Sequence, residues 1–348
     1  MTLEIRWMGF GFNDSVTIEA MQTNKYKKIL ILNTTHIGAT LCNVPLFMRI
    51  KRCYPDARVT IAMAKRNGVL APYLEAQGFE CIVFDNNFVG FDRYKTIFRY
   101  GRKYYKYFDY GVCSVEPRKT DHLLLSLLCK RSRAYVQNNW HGRLISEPVA
   151  FDEAEIRSIH RAQFCCNVFD RSSVTEDEWP RVSIAANDDF DGLFENKQNR
   201  RVPLLYVSAN NNRKTSLLNK QKLTDVIRHA YEQCKFFTII NDYYPSEQSR
   251  ELQSELGVPS SVVITPDFYQ LLKLLNSVDF CLVGDGGVSH IAAWLNIPEL
   301  VLFGETSLIE WMPLGRRVSV LFDAHDVNRI PDEIITESLI KLIDSSKY

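Results

Sequence analysis

The sequence predicts an α/β protein of two Rossmann-like domains facing each other across a cleft. Three observations carry this. The 348 residues exceed the ~100–200 typical of one domain. Short β-rich apolar runs alternate with helical segments along most of the chain, the pattern of parallel strands joined by crossover helices. Between residues 170 and 200 the alternation lapses into the polar stretch DRSSVTEDEWPRVSIAANDDFDGLFENKQNR, read as a linker whose VSIA run forms one edge strand. The domains are therefore placed at 1–185 and 186–348.

The first strand follows Lys28, where ILILN stops at Thr34-Thr35-His36-Ile37-Gly38 and gives way to helical apolar spacing from Ala39 to Arg52. Strands follow at Arg58–Ala62, Glu80–Phe84, Tyr110–Ser114 and Arg133–Val136. Between them run helices from about Gly68 to Gln77, between Asp92 and Lys106 (rich in Tyr, Lys and Arg), and over Asp121–Cys129. One longer helix is expected over Asp152–Phe169. Beyond the linker the strands are Pro203–Ser208, Phe236–Asn241, Val262–Ile264, Phe280–Val283 and Glu299–Phe303. Helices alternate with them at about Lys220–Cys234, Ser246–Leu256, Tyr269–Asn276 and Val288–Leu295. A final helix over Glu333–Ser345 is expected to be able to pack back onto the first domain.

With 46% hydrophobic and 24% charged residues, the chain is neither disordered, collagen-like nor a coiled coil. Apolar runs such as Val301-Leu302-Phe303 fall far short of the ~20 residues a bilayer-spanning helix needs. The stretch from Met1 to Asn24 carries Glu4 and Arg6 and no continuous apolar core, so a cytoplasmic protein without a secretory signal is expected. Nine cysteines form no Cys-x-x-Cys pair, and reduced, buried thiols are expected in place of disulfides or zinc. The net charge of +1 conceals +10 over residues 1–150 and −9 over 151–348. That balance argues against nucleic acid, while the basic half suits an anionic ligand or membrane surface.

The segment from Phe280 to Gly315 carries the most chemistry. An apolar strand ends at Gly284-Asp285-Gly286-Gly287 and a helix starts at Val288. Glycines at such a turn let backbone approach a ligand, and the helix N-terminus offers unpaired N–H groups to an anion such as a diphosphate. A purely structural turn with Asp285 as helix cap is the competing reading.

Three linked elements then bear a resemblance: Asp285-Gly286-Gly287-Val288-Ser289-His290-Ile291-Ala292-Ala293, Phe303-Gly304-Glu305-Thr306, and Trp311-Met312-Pro313-Leu314-Gly315. In this order they resemble the C-terminal domain of glycosyltransferase family 9, the ADP-heptose:lipopolysaccharide heptosyltransferases. The opening ILILNTTHIGATLCNVPLFMRIKRCYPDARVTIAM is similar to the family's first strand, glycine loop, Leu-Pro helix and Pro-Asp-Ala turn. The resemblance covers roughly 28–75 and 200–316, and between them only the layout agrees. It implies the GT-B fold, with acceptor binding in the first domain and donor binding in the second.

It also implies roles. The donor site would fall on Asp285, Gly286, Gly287 and His290, with the diphosphate at the helix N-terminus and the ribose or heptose hydroxyls on the polar side chains, although Gly286 stands where the family keeps Ser or Thr. The loop Ser208-Ala209-Asn210-Asn211-Asn212-Arg213-Lys214 would bring Ser208, Asn210 and above all Lys214, or Arg213 in its place, to the diphosphate. Glu247 would serve the nucleoside, or else be a first-turn acid favoured by the helix dipole. A positive charge at Lys214 would neutralise the leaving ADP, so neither metal nor cofactor is expected and the ADP-sugar is a substrate.

One element departs from the family. Its first loop ends in Gly-Asp, with that Asp as base, whereas this chain has Gly38-Ala39. A positioned base contributes typically ~10²–10⁴-fold, so a replacement is sought in His36, whose ordinary pKa suits the task, or in Glu116 or Asp121 after the Tyr110–Ser114 strand. Lys65, Arg66, Arg118 and Lys119, just past strand ends, would hold an anionic lipopolysaccharide core acceptor at the inner face of the inner membrane. Two alternatives stay open: a non-catalytic nucleotide-sugar-binding homologue, and a transferase acting on a protein or another glycan.

Overall fold

Residues 25–182, 203–206 and 214–345 are described by the computed structural model, and every strand pairing among them is parallel. The chain divides between Pro180 and Arg181 into two units; the expected boundary at 185 and the VSIA edge strand extend into residues outside the description. The N-terminal unit holds β1 (Lys28–Asn33), β2 (Arg58–Met63), β3 (Glu80–Val83), β4 (Phe108–Cys113), β5 (Cys129–Val136) and β6 (Glu147–Ala150), ordered β3-β2-β1-β4-β5-β6. The C-terminal unit holds β7 (Pro203–Tyr206), β8 (Thr238–Asp242), β9 (Ser260–Ile264), β10 (Phe280–Gly284), β11 (Glu299–Phe303) and β12 (Val318–Phe322), ordered β12-β11-β10-β7-β8-β9.

Counted from its own first strand, each sheet has the order 3-2-1-4-5-6 of dinucleotide-binding folds. The strand order reverses between β1 and β4 in one unit and between β7 and β10 in the other. In open parallel sheets ligands bind at the carboxyl ends of the strands at such a reversal. Helices on both faces require strands apolar on both sides, and Ile29 to Leu32 and all of β10 are accordingly buried.

The crossovers of the first unit carry α1 (Ile37–Cys53), α2 (Ala71–Ala76), α3 (Asp92–Lys103) and α4 (Lys119–Leu128), followed by α5 (Glu153–Ser158) and α6 (Arg161–Asn167). The single helix expected over 152–169 is thus two. His160 breaks it, because its Nδ1 accepts the Ala162 N–H at 3.1 Å and caps a fresh helix. Buried Arg49 of α1 fastens the end of the unit, with Nη2 on Glu178 at 2.7 Å and Nη1 on Asp170 at 2.8 Å.

In the second unit run α7 (Lys220–Gln233), α8 (Glu247–Leu256), α9 (Phe268–Ser277), α10 (Gly287–Trp294), α11 (Leu308–Trp311) and α12 (Asp332–Ser345). The apolar face of α12, with Ile335, Leu339, Leu342 and Ile343, joins the core of its own C-terminal unit with Val226 and Ile227 of α7. No helix among the described residues is long and apolar enough to cross a membrane.

Glu299 opens β11 fully buried, and among the described residues neither carboxylate oxygen has a hydrogen-bond partner. Its register neighbours are Cys281 and Val318. Burial pushes its carboxyl well above the usual carboxylate range, so the folded protein carries it neutral. A raised folded value means that the stability is full below the ordinary value and is lost as pH rises towards the folded one. Asp121 acts in the same sense, its carboxyl pushed up by burial to about 6. The melting temperature should therefore fall between about pH 5 and about pH 8. Glu299→Leu should raise it at the higher pH, where unsatisfied burial costs ~1–3 kcal/mol, and raise it less at the lower pH; differential scanning fluorimetry at both values checks this.

Candidate functional site

At the reversal point of the first unit, β1 runs into Thr34, Thr35 and His36, and β4 into the loop before α4. Thr34 Oγ1 lies 3.1 Å from both carboxylate oxygens of Asp121, in the first turn of α4. The carboxyl ends of the two central strands are thereby tied together. Thr35 Oγ1 donates to Asn33 Oδ1 at 2.7 Å, and Asn67 Nδ2 donates to the Thr35 carbonyl at 2.8 Å. Asp121 is 1% exposed. Its burial outweighs the Arg118 guanidinium and the bonds from Thr34 and Thr120, which favour the carboxylate, and leaves it titrating near about 6. A pKa of about 6 matches what a general base needs near neutral pH.

His36 caps α1 through its backbone, and its Nδ1 lies 2.8 Å from Arg66 Nη1. A guanidinium only donates, so Nδ1 is the acceptor and the proton of the neutral ring sits on Nε2. Partial burial, then Arg66 and Arg118, hold the imidazole below its ordinary pKa. At pH 7 the ring is neutral, one nitrogen occupied and the other a donor. This arrangement disfavours the base role expected of His36.

Glu116 is engaged elsewhere, by an ion pair with buried Arg161 at 3.1 Å, and it too is a poor candidate. Gly38 and Ala39 are the second and third residues of α1, so a side chain at 39 belongs to its first turn. Arg66 and Arg118 converge on His36, and Arg118 also acts on Asp121. Lys65, at the start of the turn after β2, and Lys119, with Nζ 5.2 Å from the Trp140 ring centre, are exposed. Sequence reasoning missed Thr34. The available signal was a hydroxyl directly after a strand that borders the reversal.

In the second unit β10 ends at Gly284, Asp285 is buried, and Gly286 is the extended N-cap of α10. The four glycines of this region divide into two kinds. A Cβ built on Gly284 would lie 2.4 Å from the Ser216 carbonyl oxygen, and one on Gly304 2.3 Å from that of Thr215. These two admit the backbone of the helical turn Lys214–Ser216, held there by Gly304 N–H donating to Ser216 Oγ at 3.1 Å. At Gly286 and Gly287 an added Cβ would meet nothing within 4 Å among the described residues. These face open space beside the α10 N-terminus, as an anion-binding turn requires.

His290 lies on α10 and is 6% exposed, and Ser289 Oγ donates to the Gly286 carbonyl at 2.8 Å. Glu247 is exposed in the first turn of α8, past the carboxyl end of β8. Ser208, Asn210 and Arg213 lie outside the described residues, and Lys214 is placed by its backbone as the first residue of the turn on Gly284 and Gly304.

Residues 192–333 match the glycosyltransferase family 9 (heptosyltransferase) model. The family 9 match takes in the Lys214 turn, Glu247, the open glycines and His290. Among solved structures, a family 9 glycosyltransferase from Veillonella parvula is similar with a TM-score of 0.77 at 13% identity, covering 92% of this chain and 98% of that one. E. coli ADP-heptose LPS heptosyltransferase II gives 0.67 at 14% identity, covering 92% and 100%. E. coli heptosyltransferase WaaC with ADP gives 0.65 at 12%, covering 90% and 99%. At such identities these likenesses establish the fold, which is the GT-B fold of two Rossmann-like units that the resemblance implied. A search of curated proteins gave no match. The family 9 match supports a glycosyltransferase.

Proposed function

We propose that the protein is an inverting heptosyltransferase that moves heptose from ADP-heptose to a lipopolysaccharide core acceptor, at the inner face of the inner membrane. The observation that carries this reading is the open Gly286-Gly287 turn at the α10 N-terminus, inside the family 9 segment. Solved relatives hold ADP and an ADP-fluoroheptose, which supports an ADP-sugar as donor.

The donor diphosphate takes the N–H groups of the turn, Asp285 and His290 face the sugar and ribose hydroxyls, and Glu247 serves the nucleoside. Lys214, with Arg213 and the polar Ser208 and Asn210 of the same loop, meets the charge that develops on ADP as it leaves, so transfer needs no metal. Arg66 and Arg118, with Lys65 and Lys119 at the rim, hold the anionic acceptor. Asp121, ionised above about pH 6, takes the proton of the acceptor hydroxyl. The hydroxyl oxygen then bonds to the anomeric carbon from the face opposite ADP, the bond from that carbon to the phosphate oxygen breaks, and the configuration inverts.

Ala39 favours one other reading, a nucleotide-sugar-binding homologue that has lost the family's base and does not catalyse. Calorimetry tests the donor half common to both. ADP should bind more tightly than UDP, and Lys214→Ala should weaken ADP by roughly 10- to 100-fold, the equivalent of a charge-assisted bond of ~1.5–3 kcal/mol. Unchanged affinity would show that the Lys214 loop does not reach the diphosphate.

A further inference from the structure

Helix α3 and its flanks carry a surface that no step of the proposed transfer uses. Thr96, Ile97 and Gly101 turn inward, and Gly101 meets Leu127 of α4 so closely that an added Cβ would stand 2.9 Å from it. The opposite side is apolar where solvent would favour polar residues. Phe91, the N-cap, is 88% exposed and Phe98 73%, with Tyr94 between them and Tyr105 just beyond the helix also exposed. Positions 91, 94, 98 and 102 follow helical spacing and form one stripe.

The same helix carries Arg93, Lys95, Arg99, Arg102 and Lys103 against the single acid Asp92. Arg99 is paired with Asp85 and Lys95 with Asp92. Arg102 and Lys103, both exposed, have no acidic partner among the described residues. Exposed aromatic rings interleaved with unneutralised cations fit a bilayer interface, where rings enter the headgroup boundary and cations meet anionic lipid.

We infer that the Phe91–Phe98–Arg102 stripe of α3 docks the protein on anionic lipid headgroups. This deepens the membrane-surface part of the proposed function and rests on it, yet it is tested without any transfer assay. Flotation of the full chain should show binding to vesicles of phosphatidylcholine with phosphatidylglycerol, little binding to phosphatidylcholine alone, and loss of binding as salt rises. The double variants Phe91→Ser with Phe98→Ser, and Arg102→Glu with Lys103→Glu, should each lower the bound fraction by roughly tenfold or more. All four positions are exposed, so unchanged melting temperatures are expected for both variants.

Equal binding by wild type and both variants would overturn the stripe while leaving membrane association standing. Absence of wild-type binding to anionic vesicles would overturn both. A wild type that is dimeric in sedimentation, with variants that become monomeric, would make this face a contact between copies and refute the lipid assignment.

Discussion

Asp121→Asn should lower turnover by ~10²-fold or more while leaving ADP affinity unchanged, because a general base acts in the transition state and not in donor binding. Asparagine keeps the shape and can still accept the Thr34 hydroxyl, so the fold is preserved and only the proton acceptor is lost. In the wild type kcat should rise with pH through a limb near about 6, where burial has moved the carboxyl. Thr34→Val should shift that limb upward, since it removes a bond that favours the charged form. His36→Gln should have a minor effect, as Arg66 already occupies the nitrogen that would accept a proton. A loss at His36→Gln equal to that at Asp121→Asn would return the base to His36.

The second large effect belongs to the donor turn. Gly286→Val should leave the melting temperature nearly unchanged, because among the described residues nothing lies within 4 Å of the added Cβ and the backbone there is extended. The same side chain would occupy the ground of the diphosphate and deny it the helix N–H groups. Losing two such bonds at ~1.5–3 kcal/mol each corresponds to roughly 10²-fold or more in ADP affinity. Gly284→Ala should do the reverse at first hand, lowering the melting temperature because its Cβ collides with the Ser216 carbonyl. Calorimetry and thermal melting on the two variants separate a ligand-facing glycine from a packing glycine two residues away. Retention of full ADP affinity by Gly286→Val would place the diphosphate elsewhere.

Most of the fold was legible because buried parallel strands write themselves as short apolar runs: β1, β2, β10 and β11 lie within a residue or two of their expected bounds. β6 and β12 escaped notice for physical reasons. β6 is four residues long with Pro148 inside, an edge strand without an apolar run, and β12 follows the four-residue helix α11 and the Arg316-Arg317 turn without the spacing of a preceding long helix. The helix break at His160 depends on a ring nitrogen accepting a backbone N–H, which no periodicity records.

The donor turn was legible as Gly284-Asp285-Gly286-Gly287, but the division of labour among those glycines was not. It depends on the turn Lys214–Ser216, some seventy residues earlier, lying against Gly284 and Gly304. The ranking of the candidate bases was likewise hidden. The sequence put His36 first, with Glu116 and Asp121 as alternatives. Arg66 and Arg161 then engage the first two, and Thr34 with burial tunes the third.

Acceptor-dependent release of ADP tests the central claim most directly. Purified protein incubated with ADP-heptose should release ADP only when a truncated lipopolysaccharide core is added, and the Asp121→Asn variant should release it at least ~10²-fold more slowly under the same conditions. Absence of ADP release with every core acceptor tried, while another nucleotide sugar does turn over, would contradict the assignment of donor and reaction together.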